Sequence, residues 1–140
     1  MNRDALKALL LRHEGMKNKL YKDTQGIATI GVGRNLEGTG ISEQEAMYLL
    51  ENDMSRVVAY CRDAFPWFNG LDDSRQNVIC SMVFNLGAAK FSEFKKMLAA
   101  VAAKDFVEAA NQMLCSAWAG EVCARATELA QMMRDGDTVH

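Results

Sequence analysis

Only one stretch of this chain breaks an otherwise helical periodicity, and it is too short to build a large sheet. Between Lys19 and Arg34, LYKDTQGIATIGVGR sets β-branched and aromatic residues around turn-forming Asp23, Thr24 and Gly26, and Gly31 and Gly33 punctuate its end. That pattern is a short hairpin or small sheet. Before it, Leu6, Leu9 and Leu10 recur at helical spacing towards His13, predicting a first helix over about residues 3 to 13 that Gly15 helps to end. Glu14 then lies at a helix C-terminus and Asp23 on or beside a turn.

Beyond NLEGTG the chain reads as helix to its end. Ser42 followed by Glu45 is a capping box, and Ala46, Leu49, Leu50, Met54, Val57 and Tyr60 carry a long helix to about Cys61, expected to connect two lobes. Pro66 sits in the break FPWFNG. Val78, Ile79, Met82, Val83 and Leu86 then give a helix with a wide apolar face, closed by Gly87, the best candidate for the central core helix. Further stripes run through Phe94, Leu98 and Val101, through Phe106, Ala110, Met113 and Leu114, and through Val122, Ala126, Leu129 and Met133. The fold class expected is therefore α+β and mostly α: a small N-terminal β-hairpin lobe and a helical C-terminal lobe, with a cleft between them.

A chain of 140 residues with 49% apolar and 24% charged residues is an ordinary single globular domain. The N-terminal lobe is expected over about residues 12–60 and the C-terminal lobe over about 1–11 and 61–140. A net charge of -2 lacks the basic excess that displaces counterions from phosphates, so nucleic acid is not an expected partner. The N-terminus MNRDALKALLLRHEGMK fits neither a signal peptide nor a membrane span, so a cytosolic product with no membrane partner is expected. Cys61, Cys80, Cys115 and Cys123 form no CxxC pair and fall in helical patterns, which favours small buried thiols over disulfides or a zinc site. GVGRNLEG lacks the GxGxxG spacing and following helix of a phosphate loop. No metal or cofactor is expected.

Glycosidic hydrolysis needs one protonated carboxyl group for the leaving oxygen and one ionised carboxylate that activates water or stabilises positive charge. Partial burial and the negative end of the helix dipole are expected to favour protonated Glu14, and Asp23 on a polar turn is expected to stay ionised. On spacing alone, both residues are equally ordinary surface carboxylates.

The run HEGMKNKLYKDTQGIATIGVGRNL resembles the catalytic segment of the phage-type lysozymes, glycoside hydrolase family 24. Its elements are Glu14-Gly15, Tyr21, Asp23-Thr24 and Thr29-Ile30-Gly31-Val32-Gly33. DDSRQNVICSMVFNLG resembles the family's core helix, ending in Phe84, Asn85 and Gly87, and SAWAGEVCARATELAQMMRDG resembles its last helices, with Trp118 and Arg125.

The resemblance implies hydrolysis of the β-1,4 bond between N-acetylmuramic acid and N-acetylglucosamine in peptidoglycan glycan strands. Glu14 would be the general acid, Asp23 the second carboxylate, and Thr29 the hydroxyl that places the water. Thr29 could instead bond only to a neighbouring carbonyl. Phe84 would pack on a pyranose face or else belong to the core, Asn85 would bond to an N-acetyl group, and Arg125 would face the glutamate. The resemblance further implies a monomer made in the cytoplasm that acts on the periplasmic wall, with a holin as partner for access. An inverting reaction is expected, with a lytic transglycosylase or a non-catalytic wall-binding protein as alternatives. Three departures stand out: Arg34 replaces the histidine of many members, the Asn35–Gly40 link is short, and the net charge is slightly acidic.

Overall fold

The computed structural model describes residues 1–137. In chain order the elements are α1 (Arg3–Glu14), β1 (Lys17–Lys22), β2 (Ala28–Gly31), β3 (Arg34–Asn35), α2 (Glu43–Ala64), α3 (Asp73–Leu86), α4 (Ala88–Phe91), α5 (Lys95–Ala102), α6 (Phe106–Leu114), α7 (Ala117–Glu121) and α8 (Cys123–Asp135). The expected α+β fold, mostly helical with its sheet near the N-terminus, is what the chain adopts. By internal contacts it divides into Met1–Leu49 and Leu50–His140, so the division falls within α2 and α1 groups with the first unit.

In the first unit the expected hairpin is a three-stranded antiparallel sheet of order β1-β2-β3. Tyr21 pairs with Thr29 and Lys22 with Ala28, while Thr29 also pairs with Asn35 and Ile30 with Arg34. Thr29 therefore sits on the central strand between two partners, and it is the one buried side chain of this unit. Ahead of the sheet, the Asn2 side chain caps α1 by accepting from the Ala5 amide at 3.0 Å. The apolar face that Leu6, Leu9 and Leu10 mark on α1 is not buried; they remain 39%, 37% and 43% exposed. A small sheet whose buried side chain is a threonine offers no apolar layer within this unit for the helix to cover.

The capping box forms as read: the Glu45 amide donates to Ser42 Oγ at 3.1 Å and the Ser42 amide to Glu45 Oε1 at 2.9 Å. In the second unit α3 is the core helix, burying Val78, Ile79, Met82 and Val83. Around it pack Phe68, Phe91, Met97, Val101, Met113 and Met133, none more than 2% exposed. At about 1.5–3 kcal/mol for each large side chain removed from water, this cluster is the main source of the unit's stability.

A polar clasp joins the start of α3 to the end of α8. Arg75 donates to the carbonyls of Met133 at 2.7 Å and Arg134 at 2.9 Å, pairs with Asp72 at 3.1 Å, and lies over the Phe106 ring. Asp137 in turn accepts from the amides of Asp73 and Ser74, satisfying helix-start donors that have no partner within α3. One side chain thus serves a helix C-terminus and another a helix N-terminus.

All four cysteines are free thiols, as expected, but only Cys61 is buried; Cys80 is half-buried and Cys115 and Cys123 are exposed. The periodicity that suggested burial fails for the last two because Cys115 caps the end of α6 and Cys123 opens α8, where side chains lie outside the helix-helix contacts. A hydrogen bond to Cys80, with burial, pushes the Cys61 thiol well above its ordinary range.

Candidate functional site

Asp23 leaves β1 into a tight turn that its own carboxylate organises. Oδ1 accepts from the amides of Gln25 at 2.8 Å and Ile27 at 2.9 Å, and the Asp23 amide donates to the Ile27 carbonyl at 3.0 Å. Aspartate is favoured here because a short acceptor can reach amides two and four residues on. Both bonds fall on Oδ1, and the residue as a whole is exposed.

Thr29 is fixed through the same residue. Its hydroxyl donates to the Ile27 carbonyl at 2.8 Å, and the residue is only 3% exposed. The Ile27 peptide therefore ties Asp23 and Thr29 together. Since the hydroxyl proton is used on the carbonyl, the lone pairs of Oγ1 can only accept.

Glu14 ends α1 and is exposed, which corrects the partial burial expected for it. Its side chain runs over the two-residue turn, Val32 and Gly33, between β2 and β3. A β-carbon placed on Gly33 would lie 2.9 Å from Oε2, 3.2 Å from Cδ and 3.3 Å from Cγ of Glu14. The first unit thus carries all three residues read as catalytic, on the helix end, the first turn and the central strand.

The other candidates lie on the second unit. Phe84 is 51% exposed near the end of α3, so it is not a core residue. Asn85 is exposed, and its Oδ1 accepts from the indole N–H of buried Trp118 at 2.9 Å. That bond engages the amide oxygen of Asn85 and leaves its N–H groups out of the contact. Arg125 is exposed on α8. Among the described residues no group of three or more His, Cys, Asp or Glu side chains is placed to hold a metal ion. Nor is any helix among them long and apolar enough to cross a membrane.

A model of the phage lysozyme family matches residues 11–130, a span that includes the whole site. The chain belongs to the phage lysozyme family. It is 29% identical to a probable T4-type lysozyme of Dictyostelium discoideum, over 94% of this chain and 95% of that protein. It is 28% identical to the endolysin of Salmonella phage P22, over 59% of this chain and 61% of that protein. It is also 27% identical to the pre-baseplate central spike protein Gp5 of Enterobacteria phage T4, matching 92% of this chain but 27% of that longer protein.

The arginine that opens β3 has a role of its own. Arg34 meets Glu45 in a two-pronged ion pair, Nη1 to Oε1 and Nη2 to Oε2 each at 2.9 Å, and Nη1 also donates to the Gly40 carbonyl at 3.1 Å. Planar guanidinium and carboxylate match each other in this geometry. The short Asn35–Gly40 link is closed by the same side chain, so the pair fastens β3 to the start of α2. Sequence reading flagged Arg34 but took Glu45 for a capping residue alone.

The pair makes the first unit sensitive to acid. The Glu45 carboxyl is held down from 4.5 to about 2, first by the hydrogen bond from Arg34 and then by those from Ser42. A group whose affinity for protons falls on folding lends stability above its ordinary range and loses it as pH drops through the folded value. Thermal unfolding followed from pH about 4.5 down to about 2 is therefore expected to show a falling midpoint. In Glu45→Gln that slope should flatten; an unchanged slope would remove Glu45 as its source.

Proposed function

We infer that this chain is a lysozyme that hydrolyses peptidoglycan, cutting the β-1,4 bond between N-acetylmuramic acid and N-acetylglucosamine. The observation that carries the reading is the Asp23–Ile27–Thr29 arrangement, which joins an oriented carboxylate to an acceptor hydroxyl in a member of the phage lysozyme family. In this reading a water donates one proton to Thr29 Oγ1 and the other to the Asp23 carboxylate. One of its two lone pairs is then directed at the anomeric carbon. As the water oxygen bonds to that carbon, Asp23 takes the proton and Glu14 gives its own to the departing sugar oxygen. The exposed Phe84 ring offers a face for a pyranose, the Asn85 amide a donor for an N-acetyl carbonyl, and Arg125 a positive charge for the acidic substrate.

In the same reading the enzyme is a monomer, made in the cytoplasm, that reaches the wall after a holin opens the membrane. Mass spectrometry of the products from chloroform-treated Gram-negative cells tests the reaction. Saccharide ends carrying one added water are expected, with loss of turbidity. Anhydromuramic ends would make the enzyme a lytic transglycosylase, and wall binding without product would make it a non-catalytic binder.

A further inference from the structure

We propose that Gly33 is a positioning residue for Glu14: the absence of a side chain in the β2–β3 turn creates the seat on which the acid rests. This deepens the functional reading above and rests on Glu14 as the proton donor. Two glycines flank Val32 at that turn, and both adopt left-handed backbone, Gly31 at φ 69° and Gly33 at φ 68°. Backbone conformation therefore asks for glycine equally at both. Their surroundings differ. A β-carbon on Gly31 meets nothing within 4 Å, whereas one on Gly33 falls 2.9 Å from Oε2 of the Glu14 carboxyl group.

The closeness extends along the side chain, with Cδ at 3.2 Å and Cγ at 3.3 Å from the same point. An added methyl would displace the carboxyl group and Cγ together, by at least a few tenths of an ångström. Glu14 is exposed and the last residue of α1, so little else restrains its rotamer. The turn surface at Gly33 is then the wall that sets where the proton is delivered, and displacement of a reacting group by about 1 Å costs up to about 100-fold in rate.

Because the two glycines share backbone strain and differ in this contact, alanine at each separates the two effects. Gly33→Ala is expected to lower kcat by about tenfold or more with little change in KM. Gly31→Ala should cause a similar fall in melting temperature with kcat reduced by no more than a few fold. Shortening the acid supplies the second arm: Glu14→Asp withdraws the carboxyl group from the added methyl. Its cost should be smaller in the Gly33→Ala background than in wild type, as coupled neighbours require.

A direct measurement covers the case in which Gly33→Ala does not fold. In the wild-type protein, nuclear Overhauser contacts are expected between the Glu14 γ-hydrogens and the Gly33 α-hydrogens. Equal kcat in the two alanine variants, additive effects of Glu14→Asp and Gly33→Ala, or absence of that contact would overturn the proposal. Failure of the acid reading itself looks different: Glu14→Gln would then remain active whatever stands at position 33.

Discussion

Glu14→Gln is expected to lower lytic activity by about 100-fold or more while leaving the melting temperature nearly unchanged. The amide has the size and shape of the carboxyl group, so it can rest on the Gly33 turn as the glutamate does. What it lacks is a proton that can be transferred to a departing sugar oxygen. The stability side follows from position. Glu14 is exposed at the end of a helix that buries none of its residues, and surface changes of this kind shift stability by no more than about 0.5 kcal/mol. A fall in activity accompanied by unfolding would point to structure, whereas a fall at constant melting temperature points to chemistry. Activity within tenfold of wild type would remove Glu14 from the acid role.

The helices were legible because periodicity and caps are local. The capping box at Ser42 and Glu45 forms, and Val78, Ile79, Met82 and Val83 are buried as their spacing required. The turn at Asp23 was legible for the same reason, since aspartate bonds to amides within four residues. What escaped the sequence depends on partners far along the chain. Arg75 finds carbonyls 58 and 59 residues later, and no local pattern announces that. The third strand is two residues long and exists only through its pairing with β2. Leu6, Leu9 and Leu10 show the limit of periodicity itself, which marks an apolar face without saying whether anything covers it.

The site divides along the same line. Asp23 and Thr29 fall six residues apart on one turn and strand, so their connection through Ile27 is a local event that a sequence can encode visibly. The meeting of Glu14 with Gly33 brings together a helix end and a turn that no spacing rule relates. Arg34 with Glu45 joins β3 to α2 by a charge pair eleven residues apart. In both cases the residue types were noticed, and the contact was not.

Asp23→Asn should also lower activity by about 100-fold or more, and the product it fails to make defines its role. Asparagine keeps an oxygen that can accept from the Gln25 and Ile27 amides, so the turn is expected to survive the change. Lost is the negative charge, and with it the ability to take a proton from water. The wild-type enzyme then reports how that charge is used. Thr29 gives its proton to Ile27, so its oxygen can only accept, which suits a water held between it and the carboxylate. A water in that place needs carboxyl groups about 6.5–9.5 Å apart and attacks from the face opposite the leaving group, inverting the anomeric carbon. Direct attack by Asp23 needs about 5–5.5 Å and retains it. Proton NMR of a fresh digest, read before mutarotation, is expected to show the α-anomer first. An initial β-anomer would make Asp23 a nucleophile and Thr29 a structural hydroxyl whose bond to Ile27 is its whole function.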